Sequence, residues 1–280
     1  MKLIKLFIVL ILVSSCDTKN QDAVAQKKDY EKYLVSKEVE TTSKYFELWN
    51  TKIRPDSIQL TSFGIVGGEY NRYFQQTGNI EFLKKAEKSL KKAVDIANIG
   101  KPGYYRALAR NYISQHRFRE ALTLADSAAT IGGYKNETQS LFFDVHMELG
   151  NYQLAEKYLD SLKNMSDFGY MIRLAKWNDY KGDLDTTINF MEMARTKAES
   201  AKNKDLMVWS YTNLGDYYGH AGRIKDSYNQ YLKALEIDSD NAYAKKGIAW
   251  IVFSNDKNAV EAIRILDSVT ITYNAPDYFL

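Results

Sequence analysis

One pattern of residues recurs along this chain at spacings near 34 residues, and a recurrence of that length constrains the fold more than any other feature. The clearest copy is Val208–Asn241, VWSYTNLGDYYGHAGRIKDSYNQYLKALEIDSDN. Tyr211, Leu214, Gly215 and Tyr218 occupy its positions 4, 7, 8 and 11, which share one stripe of a helix. Ser227, Tyr231, Ala234 and Leu235, at positions 20, 24, 27 and 28, share one stripe of a second helix. Gly222, at position 15, supplies the left-handed cap between the two. Small residues at positions 8 and 20 let the backbones approach closely where the helices cross.

The register repeats in both directions. Pro102–Lys135 carries Tyr105, Leu108, Ala109, Tyr112, Ala121, Ala125 and Ala128. Asn136 opens a unit with Phe142, Gly150, Tyr152, Ala155, Leu159 and Leu162. Phe168 opens another with Leu174, Ala175, Gly182, Leu184, Met191 and Ala194, whose second helix is expected to run on through TKAESAKNK. Ala242 follows Val208 by 34 residues and carries Ala249, Ala262 and Leu266, given one extra residue in its turn. Upstream, Gly64–Lys101 fits with three residues inserted around Gly78-Asn79-Ile80. Phe143, bulky at a small-residue position, predicts altered packing in its unit.

These spacings resemble tetratricopeptide repeats, with Ser227 where that family usually has alanine and Ser239 where it usually has proline. The resemblance implies an all-α fold, a right-handed α-α superhelix of stacked antiparallel helical hairpins with a concave face. A single hairpin cannot bury its apolar stripe alone, so neighbours must stack. The solenoid is expected over residues 29–271 with units starting near 64, 102, 136, 168, 208 and 242. Ahead of them, Tyr30–Thr51 reads as a further helix stopped before Pro55. In residues 272–280, Pro276 and Asp277 read as the first turn of another helix, one that the sequence cuts short or that packs unusually.

The address lies at the other end. Residues 1–15, MKLIKLFIVLILVSS, place Lys2 and Lys5 before an apolar run from Leu6 to Val13, too short to span a bilayer and of the size of a secretory leader. Val13-Ser14-Ser15-Cys16 resembles the lipobox of bacterial lipoprotein precursors. That resemblance implies a mature protein beginning at an acylated Cys16, with several acyl chains giving stable anchoring. Cys16 is the only cysteine, so no internal disulfide competes for it. Residues 16–28 are polar and read as a flexible tether. Loss of Lys2 and Lys5 with the leader leaves 36 basic against 35 acidic residues, a net +1, and nucleic-acid binding through overall charge finds no support.

Chemistry is hard to find. The three histidines fall at a turn (His116), a core-facing position (His146) and a helix end (His220), and none has metal-ligand spacing. Gly67-Gly68 and Gly132-Gly133 lack the lysine and threonine of a phosphate loop. No catalytic constellation, metal site or cofactor site is expected, and the chain reads as a non-enzyme. Asp126-Ser127, Asp160-Ser161 and Asp267-Ser268 resemble O-glycosylation acceptors of Bacteroidetes-type bacteria, whose lipoproteins the chain also resembles, but helix register alone explains them.

In tetratricopeptide arrays the first-helix positions 2, 5, 9, 12 and 13 face the groove. Carried onto this sequence, they make the N-terminal half basic, through Arg72, Arg106, Arg110 and Lys176, and the C-terminal half aromatic, through Trp209, Tyr243 and Trp250. Arg106 and Arg110, one turn apart beside Arg72, suit a carboxylate or other anion, or else pair with nearby acids. The rings suit stacking on a peptide or a sugar, or packing between repeats. The expected function is a lipid-anchored scaffold or adaptor of the bacterial cell envelope, in the outer membrane and facing the periplasm or the exterior, that grips partner proteins or peptides. The alternative is a nutrient- or glycan-binding surface lipoprotein.

Overall fold

A computed structural model describes residues 23–35, 42–54, 56, 58–133, 135–270 and 273. The expected leader, Cys16, Pro55 and the helix start at Pro276 lie outside the described residues. Every regular element described is helical. Two short N-terminal helices, α1 (Lys27–Tyr30) and α2 (Lys44–Asn50), precede six antiparallel hairpins. These are α3 (Leu60–Thr77) with α4 (Ile80–Ile96), α5 (Lys101–Ser114) with α6 (Phe118–Ile131), and α7 (Lys135–Glu148) with α8 (Tyr152–Ser161). They continue with α9 (Phe168–Tyr180) and α10 (Leu184–Ser200), α11 (Lys204–His220) and α12 (Ile224–Ile237), and α13 (Ala242–Ser254) and α14 (Ala259–Thr270). The hairpins stack in chain order into the right-handed solenoid that the repeats predict.

The turn inside each hairpin is fixed by one left-handed residue: Gly78, His116, Gly150, Gly182, Gly222 and, one place later, Lys257. Glycine adopts that conformation without strain, which explains its recurrence at position 15. Asparagine or aspartate then caps several helices: Asn79 accepts from the Glu81 N–H at 3.0 Å, Asp167 from Tyr170 at 2.7 Å and Asn241 from Ala244 at 2.9 Å. Each such cap contributes about 1 kcal/mol. Tyrosines stitch hairpin to hairpin, burying the ring and bonding the tip to a carboxylate on the preceding second helix. Tyr112 reaches Glu87 at 3.3 Å, Tyr211 reaches Glu199 at 2.7 Å, and Tyr218 bonds Glu192.

Several details differ from the sequence-based expectation. In the first hairpin the turn keeps the common geometry, and the extra residues lie within the helices: α3 and α4 are longer, and their close crossing falls at Gly67 against Leu90. Phe143 is accommodated by full burial in a cluster with Met147, Leu159, Tyr170 and Trp177, separate from the cluster around Leu108 and Phe142. Ser127, Ser161 and Ser268 return their hydroxyls to helix carbonyls of Thr123, Tyr158 and Ile265, as helix register requires.

The N-terminal segment departs furthest. Tyr30–Thr51 is not one helix: α1 passes into a 3-10 turn at Glu31–Tyr33, and α2 starts only at Lys44. The reason is that its two ends serve opposite ends of the solenoid. Phe46 packs on Tyr70 and Tyr73 of the first hairpin, while Tyr30 and Tyr33 are buried in the core of the last two. Residues 24–26, expected as part of the tether, are docked there as well.

Candidate functional site

First helices of successive hairpins touch one another (α3 with α5, α5 with α7, α7 with α9, α11 with α13), which gathers them on the inner, concave wall. The basic half of this wall is largely self-neutralised. Arg72 donates to Glu69 at 2.6 Å and to Gln76 at 3.2 Å, and its pKa is raised chiefly by the Glu69 bond. Lys176 pairs with Glu148 at 2.6 Å, and Arg173 with Asp144 at 2.6 Å. Arg106 is not a groove residue: its side chain is buried and donates to Thr138 of the next hairpin at 3.2 Å.

Arg110 behaves differently. It is exposed to the groove and donates no hydrogen bond to a described residue. The surrounding protein nonetheless strips enough water to push its pKa down, against the pull of Asp144 and with Arg173 and Arg106 adding repulsion. Its fork of donors is therefore the one member of the predicted arginine set available to an incoming anion.

The aromatic half closes around a recess of 330 Å³ between α11 and α13. Its walls are Trp250, Tyr243, His220 and Lys246, and its floor is Gly219, Gly247, Tyr231 and Asp216. Asp216 accepts from the Tyr231 hydroxyl at 2.5 Å and from the Tyr243 hydroxyl at 2.6 Å, fixing both rings from below. Trp250 stays 47% exposed and Tyr243 52%. Trp209 stands outside this recess, edge-on to Phe168 at 5.9 Å. The structure thus brings Tyr243 and Trp250 together and leaves Trp209 apart. What sequence reasoning missed is the glycine pair: Gly219 and Gly247 lie inside helices, where glycine costs stability, and that cost was the available signal.

Among the described residues no three or more His, Cys, Asp or Glu side chains are placed to hold a metal ion. His146 lies near-parallel beside the mutually stacked rings of Phe142 and Tyr158, and burial lowers its pKa. No described helix is long and apolar enough to cross a membrane.

No protein-family model matches the chain, and no curated protein matches it in sequence. Solved structures do match in fold. A chain of the APC/C hetero-tetramer Cut9-Hcn1 superposes with a TM-score of 0.60 at 18% identity, over 83% of this chain and 43% of that one. A signal-transduction ATPase with a tetratricopeptide repeat sensor from Pyrococcus horikoshii gives 0.58 at 16% identity, over 89% and 42%. A thermophilic TPR protein of Thermus thermophilus gives 0.57 at 14% identity, over 69% of this chain and 99% of that one. The first two are similar to this chain over less than half of their own length. With the repeat geometry above, these likenesses establish a tetratricopeptide-type solenoid fold.

Proposed function

We propose that this chain is a non-enzymatic scaffold that grips peptide segments of partner proteins in its concave groove, tethered to the outer membrane of a bacterial envelope by acyl chains on Cys16. The observation that carries the groove is the recess at Trp250 and Tyr243: two exposed rings over a floor opened by two glycines, with Arg110 further along the same wall. Its volume suits one bulky side chain of an extended peptide, and Arg110 suits a carboxylate on the same ligand. The Val13-Ser14-Ser15-Cys16 sequence supports the anchor.

A second reading, capture of a glycan or other nutrient, draws on the same rings, because Trp250 is flanked by the polar groups of Asp216, His220 and Lys246. One experiment separates the two. The native lipoprotein is extracted in gentle detergent, cross-linked and its partners identified, beside a Cys16→Ala variant for the anchor. A stoichiometric protein partner lost in both Arg110→Glu and Trp250→Ala is the expected result. A solitary protein that binds soluble oligosaccharides through Trp250 and ignores Arg110 would overturn the scaffold reading.

A further inference from the structure

The strongest unassigned feature lies outside the groove, where residues 24–34 cross α12 and α14. The backbone N–H groups of Val24 and Ala25 both donate to the Asp256 carboxylate in the α13–α14 turn, each at 2.9 Å. The Gln26 N–H donates to the Tyr228 hydroxyl at 3.1 Å. Tyr30 inserts its ring into the core of the last hairpins and donates to Glu261 at 2.9 Å. Glu31 accepts from Arg264 at 3.0 Å, and Ala25 and Tyr33 complete the buried face. These partners lie more than 190 positions away in sequence.

We infer that this docking sets how the protein stands on its membrane: the edge of the solenoid at the α13–α14 turn faces the lipid bilayer. The inference rests on the acylation of Cys16 proposed above. Without docking, the anchor would join the solenoid at α2, on the first hairpin, through an unpinned segment from residue 16 to residue 43 with a reach of up to about 95 Å. Docking moves the point of attachment to the last hairpin. Eight bonds between successive Cα atoms then separate Cys16 from Val24, so Asp256 is held within about 30 Å of the acylated residue. Lys163, in the α8–α9 loop, lies at the opposite ends of the hairpin helices, about 20 Å away along their length and three hairpins back in the stack.

The test is energy transfer to a lipid dye, using full-length acylated protein in phosphatidylethanolamine–phosphatidylglycerol vesicles. Cys16 is acylated and the chain has no other cysteine, so Lys257→Cys and Lys163→Cys each offer a single free thiol for the donor. Transfer from position 257 should exceed that from position 163. Tyr30→Ala combined with Asp256→Ala should release the segment and bring the two efficiencies together. Should that pair fail to fold, the exposed change Glu31→Arg should narrow the difference. Equal or reversed transfer in vesicle-bound wild-type background overturns the orientation and leaves the anchor standing. Failure of the unlabelled protein to reach the membrane fraction in cells overturns the anchor, and the orientation with it.

Discussion

Replacing Gly247 by alanine tests the packing beneath the recess with the smallest available perturbation. A Cβ at that position would stand 2.3 Å from Tyr231 Cζ, 2.5 Å from Cε1 and 2.6 Å from Cε2. The ring cannot retreat, because a Cβ-free Gly215 already faces it from α11, where an added carbon would stand 2.7 Å from Cε1. Its hydroxyl is also held by Asp216 at 2.5 Å, and the side chain is almost fully buried. Relief therefore requires α13 to move by about 1 Å, an overpacking that costs roughly 1–3 kcal/mol. The gain in helix propensity from losing a glycine returns about 0.5–1 kcal/mol. The expected result is a net loss of about 1–2 kcal/mol by urea denaturation followed by circular dichroism. Gly219→Ala is the internal control. Its Cβ would meet Ser227 and Trp250 no closer than 3.5 Å, so propensity wins and stability rises by about 0.5–1 kcal/mol. A second control is Tyr231→Leu, which removes the ring atoms that the new Cβ would meet, so that Gly247→Ala should there become stabilising by about 0.5–1 kcal/mol. A neutral or stabilising Gly247→Ala in the native background would refute the claim that this ring is pinned between two glycines.

Three further outcomes are expected. Lys245 is only 1% exposed and sits 3.6 Å from Asp240, too far for a good hydrogen bond, and burial lowers its pKa. The unfolded chain then binds more protons between the lowered value and 10.5, so stability rises with pH across that window, and Lys245→Met should abolish the rise in urea titrations at successive pH values. Glu261 is held at about 2, chiefly by Arg264 with help from Tyr30. Only the part of that lowering supplied by Tyr30 couples to docking, so docking should weaken modestly as pH falls from 4.5 towards 2, read as faster hydrogen exchange at the Val24–Tyr33 amides and absent in Glu261→Gln. Arg110→Ala should weaken an anionic peptide about tenfold in a binding titration with little change in the melting temperature, because its exposed side chain donates no hydrogen bond to a described residue.

The hairpins were legible because each must solve the same packing problem at the same spacing. Position 15 needs a left-handed residue, and His116 and Lys257 show that the turn imposes it even where glycine is absent. Groove assignments were less secure for a physical reason. Projecting one hairpin onto a wheel assumes that its neighbour covers nothing extra, and the start of α7 covers Arg106 through Thr138. Arg110, one turn along, escapes that cover and remains open to the groove. The recess at Trp250 was half visible: the rings stood at groove positions, but the space between them is made by glycines on two separate helices.

The docked N-terminal segment was invisible to periodicity, since nothing in AVAQKKDYEKYL repeats and its composition is that of a tether. Its order comes from long-range partners: one carboxylate in a turn for two backbone N–H groups, and a pocket of small residues and isoleucines for Tyr30. Such partners can be read only once the solenoid has curved far enough to present both ends to one short stretch of chain. Leu34 and Lys44 bound that curvature, for the ten steps between them reach at most about 35 Å. On the proposed scaffold reading, a solenoid strapped from its last hairpin to its first presents a groove of set width, which a partner has to match. Releasing the segment should therefore loosen the choice of partner as well as the stance on the membrane.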